Sequence, residues 1–253
     1  MNYSFDDLRN GVVLAELGGH GDGPYCAKHG AGAALIILGT YIVDPGNDVD
    51  YPKQFVFKPG PCNYADYLKR HVAKARRSGG KVAVSVCCVK LEDNVDFLQA
   101  AEDAGADYAS YCAHSVMHMF VSLNLSSKLC RREHWDNLRK WSSTMSKKLS
   151  IPVIFKIGAH GLDQDVIGAV EIMGESGISA IHINVSDTSA ESAGLGMISA
   201  VKGRCEFLIA GGGIKDTDDA RRVLAAGADA VAIGTAAMDD PDVIGRIQKS
   251  LRT

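Results

Sequence analysis

Two glycine-bearing segments toward the C-terminal end carry the clearest chemistry in this sequence: IAGGGIKDTDDA from Ile209 and AIGTAAMDDP from Ala232. Gly211, Gly212 and Gly213 expose backbone N–H groups with no Cβ in the way, and Gly234-Thr235 opens a second short turn into a helix. Free N–H groups at such turns, with a helix dipole behind them, suit a phosphate. Side chains able to do chemistry stand upstream. Lys156 ends IPVIFK as a compact positive charge for an anionic ligand or a reduced cofactor. Cys112 and His114 close DYASYCAH, and His182 and Asn184 share one parity in AIHIN, so both face the same side of a regular strand. A thiol near a lysine and a histidine is expected to have its pKa pulled down, which makes Cys112 a candidate acid or nucleophile and His114 its reserve. Blander readings stand beside these: Cys112 as a packing thiol, His182 as a hydrogen-bonded core histidine, and the glycines as devices for tight turns.

The elements that must position these residues follow from a phrase that recurs. A helix end, a glycine among small residues and an apolar run appear in AKHGAGAALIILG, AEDAGADYASYCA, MGESGISAIHINV and LAAGADAVAIGTA. Glycine ends the helix and a short loop returns the chain to a buried strand. Between these copies lie four further candidate strands, Val12–Leu17, Lys81–Val86, Pro152–Lys156 and Phe207–Ala210, and amphipathic helices such as Tyr64–Ser78, Val95–Ala104, Arg132–Leu149, Asp165–Glu175 and Thr217–Ala226. Strict alternation of strand and helix predicts a single (β/α)8 TIM barrel over residues 1–253. No G-x-G-x-x-G turn follows the first strand, which weakens a dinucleotide-binding sheet. In such a barrel the reactive groups collect at the C-terminal ends of the strands. Those ends are expected at Gly18-Gly19-His20, Gly39-Thr40, Cys87-Cys88, Tyr111 to His114, Lys156, His182 with Asn184, the glycine triplet and Gly234-Thr235. The stretch from Thr40 to Asn63 exceeds a bare barrel unit and is either a loop insertion shaping access or a passive excursion.

Composition narrows the classes. Hydrophobic residues make up 46% and charged residues 23%, a globular balance, and the formal net charge of −3 disfavours a general nucleic-acid or membrane-surface binder. No apolar run reaches the roughly 18–20 residues that span a bilayer. The start, MNYSFDDLRN, lacks the apolar core of a secretory signal, and seven cysteines without C-x-x-C spacing read as reduced thiols, so a cytoplasmic protein without a metal site is expected.

On these segments the chain resembles the FMN-dependent barrels that include dihydroorotate dehydrogenases and tRNA-dihydrouridine synthases. VVLAELGGHGDGPYCAKHGAGAAL resembles that family's first strand and turn, KVAVSV its third strand, IPVIFKI its fifth, GISAIHINVS its sixth, and FLIAGGGI with AVAIGTA its FMN-phosphate loops. The resemblance implies FMN as cofactor, contacted by Lys156, Asn184, Gly211, Gly212, Gly213, Gly234 and Thr235. It implies an oxidoreductase that passes a hydride between the flavin and a small organic substrate, with Lys156 stabilising the reduced ring and Cys112 or His114 moving the proton. The fourth strand departs from the pattern: Ala109 stands near the family's asparagine and Ala113 replaces its proline. The helical domain of the tRNA-modifying branch has no counterpart, so the expected partner is a small molecule, with a homodimer as the base-rate assembly. Two other outcomes are carried forward. One is a flavin-free barrel, an isomerase, lyase or synthase, that holds a phosphorylated small molecule in the same loops, with Lys156 able to form a Schiff base. The other is a ligand-binding barrel without catalysis.

Overall fold

Eight parallel strands close on themselves in this structure, a computed structural model that describes residues 5–43, 50–159, 164–185 and 191–252. They are β1 (Gly11–Leu14), β2 (Leu35–Val43), β3 (Lys81–Cys88), β4 (Tyr108–Ala113), β5 (Val153–Gly158), β6 (Ala180–Asn184), β7 (Phe207–Gly211) and β8 (Ala230–Ile233). Each pairs in parallel with the next, and β8 returns to β1 with Gly11 beside Ala230 and Leu14 beside Ile233. The chain is a single (β/α)8 TIM barrel, as its alternation predicts.

The helices run between the strands in chain order: α1 (Gly23–His29), α2 (Ala65–Ala75), α3 (Leu91–Asp103), α4 (His118–Val121), α5 (Trp135–Lys148), α6 (Gln164–Glu175), α7 (Glu191–Lys202), α8 (Thr217–Ala225), α9 (Thr235–Asp239) and α10 (Val243–Leu251). Local chemistry sets their ends. Asp22 caps α1 by accepting a hydrogen bond from the Tyr25 N–H, and Asp216 caps α8 by accepting one from the Asp219 N–H. In three copies of the recurring phrase the glycine takes a left-handed φ, +87° at Gly105, +89° at Gly177 and +114° at Gly227.

Strand residues alternate between two cores, as a sheet covered by helices requires. Val13, Leu35, Ile37, Ala83, Ile154, Ala180, Ile209 and Ala230 fill the lumen, while their neighbours pack outward on the helices. Each fully buried Val, Leu or Ile side chain contributes roughly 1.5–3 kcal/mol. The N-terminal end of the lumen is filled by aromatic rings. Phe5 stacks 5.5 Å from Tyr108 and 4.9 Å from Phe207, and the Arg9 guanidinium lies 5.6 Å from the Phe207 ring. Arg9 and Lys202 both pair with buried Asp229, which also accepts the Leu208 N–H at 2.8 Å.

Several boundaries differ from expectation, and two of them bear on the site. β1 leaves the ladder after Leu14 rather than Leu17, because the chain turns there toward the Gly18–Gly21 loop. β2 continues through Gly39-Thr40 to Val43, with a register shift between Leu38 and Tyr41, so that pair is within the strand and not at its end. The insertion is partly ordered by this extension. A two-residue strand, Val56–Phe57, pairs with Ile42 and Val43, and Phe55, Phe57, Tyr67 and Phe97 pack around Tyr41. Residues 44–49 of the 40–63 loop lie outside the described residues.

Candidate functional site

The site is built around a carboxylate. Glu16 follows β1 at a point where the strand has already ended, and its side chain turns into the mouth of the barrel, only 4% exposed. Its Oε2 lies 3.3 Å from Lys156 Nζ and 3.6 Å from His182 Nδ1. Its Oε1 accepts from Ser85 Oγ at 3.4 Å, and Ser85 Oγ lies 3.2 Å from Thr40 Oγ1.

Strand register explains the rest of the cluster. Cys112, Lys156 and His182 are neighbours on β4, β5 and β6 and share the lumen-facing parity. Lys156 is buried with Glu16 as its ion-pair partner. Burial, then the nearby charges of Lys156 and His114, hold the His182 imidazole well below its ordinary pKa, so it is neutral at neutral pH. One step further out, Asn184 Nδ2 lies 3.5 Å from His114 Nε2. The expectation of a depressed Cys112 pKa is corrected: burial pushes the thiol up, and this outweighs the opposing pull of Lys156. Cys112 is a protonated thiol at neutral pH and not a poised thiolate.

The glycine turns complete the mouth. At Gly211 a Cβ would meet the Ala232 carbonyl oxygen at 2.9 Å, so β7 and β8 approach too closely there for any side chain. Gly213 has φ +77° and open space around its missing Cβ, which leaves room on that side of the turn. A cavity of about 150 Å³ lies between this turn, Gly234-Thr235, and the side chains of Glu16, Lys156, His182 and Asn184. Oε2 of Glu16 and Nδ1 of His182 are buried beside it and make no hydrogen bond among the described residues, the contact of Oε2 with Lys156 being an ion pair.

The structure therefore brings together Lys156, Asn184, Gly211, Gly212, Gly213, Gly234 and Thr235 around one cavity, with Cys112 and His114 beside it. Sequence reasoning missed Glu16. A lone acid in the apolar run VVLAELGG was the available signal, but strand parity places it outward with Val12 and Leu14. Among the described residues, no group of three or more His, Cys, Asp or Glu side chains is placed to hold a metal ion. No helix among them is long and apolar enough to cross a membrane.

Fold and site together define a (β/α)8 barrel with a buried acid, lysine and histidine facing two glycine turns across its C-terminal mouth. Residues 158–253, which include both glycine turns, match the family model described as "Histidine biosynthesis protein". The chain is 33% identical over 76 residues to the geranylgeranylglyceryl phosphate synthase of Methanopyrus kandleri, covering 30% of this chain and 32% of that one. It is 55% identical over 40 residues to imidazole glycerol phosphate synthase subunit HisF of Dictyoglomus thermophilum, 16% of each chain. It is 33% identical over 86 residues to a phosphoribosyl-bearing imidazole-4-carboxamide isomerase of Natronomonas pharaonis, 33% of this chain and 36% of that one. The matched segments thus span about a third or less of these relatives' lengths. Among solved structures, the DHODH of Eimeria tenella superimposes with a TM-score of 0.70 at 17% identity, over 95% of this chain and 80% of that one, a likeness of fold alone.

These matches overturn the FMN-dependent oxidoreductase expected from the sequence. They lie with synthases and an isomerase of phosphate-bearing compounds, and with a histidine-biosynthesis model across the very turns that were read as FMN loops. The physical reason for the error is that glycine turns recognise a phosphate and not what is attached to it. AGGGI and AIGTA therefore read equally well for a flavin mononucleotide and for a smaller phosphate ester. Lys156 was the other support for a flavin, and its charge is already compensated by Glu16.

Proposed function

We propose that this protein is a flavin-free (β/α)8 isomerase or synthase acting on a phosphorylated small molecule. The observation that carries the reading is a single cavity with the buried Glu16–Lys156 ion pair and His182 on one wall and the two glycine turns on the other. Glu16 Oε2 and His182 Nδ1 make no hydrogen bond among the described residues, and buried polar atoms in that state are rare enough to call for a reason such as a catalytic role. The matches to synthases and an isomerase of phosphate-bearing compounds support the same class.

In this reading the backbone N–H groups of Gly212, Gly213 and Thr235, with the Thr235 hydroxyl, hold the phosphate. The reactive end of the ligand then faces Glu16, which takes a proton from carbon or oxygen and returns it. Lys156 sets a positive charge against negative charge developing on the ligand. Its Nζ is committed to Glu16, which favours this electrostatic role over an imine. Neutral His182 offers one donor and one acceptor to orient a hydroxyl. His114 and Asn184 line the approach, and the protonated Cys112 thiol serves as a secondary proton donor.

Calorimetric titration with inorganic phosphate, ribose 5-phosphate and ribose tests the class. Binding of the two phosphates and not of ribose is expected, and a Gly213→Asp variant should lose both. Equal binding of ribose and its phosphate would sink the reading.

A further inference from the structure

Glu16 is held by more than its cation. Its two oxygens have separate partners: Oε2 faces Lys156 and His182, while Oε1 accepts from the Ser85 hydroxyl. Serine has one proton to donate. If it goes to Glu16, the contact between Thr40 Oγ1 and Ser85 Oγ must be donated by Thr40. Thr40 is itself fixed, since its carbonyl accepts the Tyr51 hydroxyl at 2.8 Å. Half-buried Tyr51 packs closely on the glycine turn, where a Cβ on Gly18 would lie 2.8 Å from its hydroxyl and one on Gly19 2.9 Å from Pro52. Ser85 is fully buried and Thr40 is 9% exposed, so water does not compete freely for either hydroxyl. The result is a directed hydroxyl chain, Thr40 to Ser85 to Glu16, with the backbone of Thr40 held by Tyr51 of the 40–63 insertion.

We propose that Ser85 and Thr40 are positioning residues: their hydroxyls lock Oε1 of Glu16 so that Oε2 stays turned toward Lys156 and the cavity. This rests on the reading of Glu16 as the proton-handling group. It gives the insertion a task at the site, because its Tyr51 holds the backbone of Thr40 at the far end of the chain. A carboxylate on a flexible glutamate stem otherwise rotates, and loss of the lock would cost alignment at the reacting atom rather than overall folding.

The test reads Glu16 directly. Protein carrying ¹³C at the glutamate side-chain carboxyl gives a Glu16 resonance that is assigned by its disappearance in Glu16→Gln. Ser85→Ala and Thr40→Val should each move that resonance by more than its linewidth, whereas Thr40→Ser, which keeps the hydroxyl, should leave it in place. Tyr51→Phe should move it by less. A resonance that stays put in folded Ser85→Ala overturns the proposal. If Ser85→Ala does not fold, the Thr40→Val and Thr40→Ser pair decides: equal shifts in both, or none in either, overturn it. Inorganic phosphate titrated into unlabelled wild-type protein separates this from the functional reading. Phosphate binding with an unmoved resonance removes the positioning chain alone, and a moved resonance without phosphate binding removes the functional reading alone.

Discussion

Glu16, just past β1, and Lys156, on β5, come from opposite walls of the barrel and meet at 3.3 Å across its mouth. A buried ion pair of this kind contributes little net stability over apolar residues, but removing one partner strands a charge. Lys156→Met should therefore cost about 3–5 kcal/mol in urea unfolding. The double variant Glu16→Gln with Lys156→Met should recover a clear part of that loss. Strictly additive effects of the two changes would show that the pair is not coupled.

His182 gives the stability a pH dependence of known sign. Its folded pKa lies well below the unfolded value of 6.5, so above that value it is neutral in both states and contributes no slope. As pH falls through 6.5 the unfolded chain takes up a proton that the folded protein refuses, and stability drops by up to about 1.4 kcal/mol per pH unit. His182→Gln should flatten this acid limb. An unchanged slope between pH 6.5 and 5 would show that another group carries it.

An alkaline limb should come from the buried thiols. The Cys130 thiol is pushed by burial from 9.0 up to about 12, so the unfolded chain ionises first and stability falls as pH rises above 9. Cys130→Ala should make the loss between pH 9 and 11 shallower in chemical denaturation, although it lowers stability at neutral pH through the cavity it leaves.

Phosphate should protect the fold through the glycine turns. At tenfold over its Kd, a ligand that binds only the native state adds about 1.4 kcal/mol. Gly213→Asp puts a negative charge at an open position whose left-handed backbone aspartate tolerates better than most residues. It should fold and show no gain in melting temperature with phosphate. A gain equal to wild type would place the anion elsewhere.

The barrel was legible because its signals are local and repeated. Gly105, Gly177 and Gly227 each mark the same helix-to-strand return, and the lumen-facing parity of Lys156, His182 and Asn184 follows from strands that stay regular. What escaped depends on chain segments that leave the ladder. Glu16 points inward only because β1 stops at Leu14, and parity counting through Leu17 gives it the wrong face. Ser85 and Thr40 carry no sequence motif, and their partnership arises from the way β2 and β3 lie side by side. The cofactor was misread for a different reason: the phosphate turns report a chemical group, and several kinds of ligand carry it.

The stacked Phe5, Tyr108 and Phe207 rings have a kinetic consequence. Among the described residues they fill the N-terminal end of the lumen, so a ligand of the cavity would enter and leave by the C-terminal mouth. In the proposed reading, a substrate and a product that keeps its phosphate would compete for the same glycine turns.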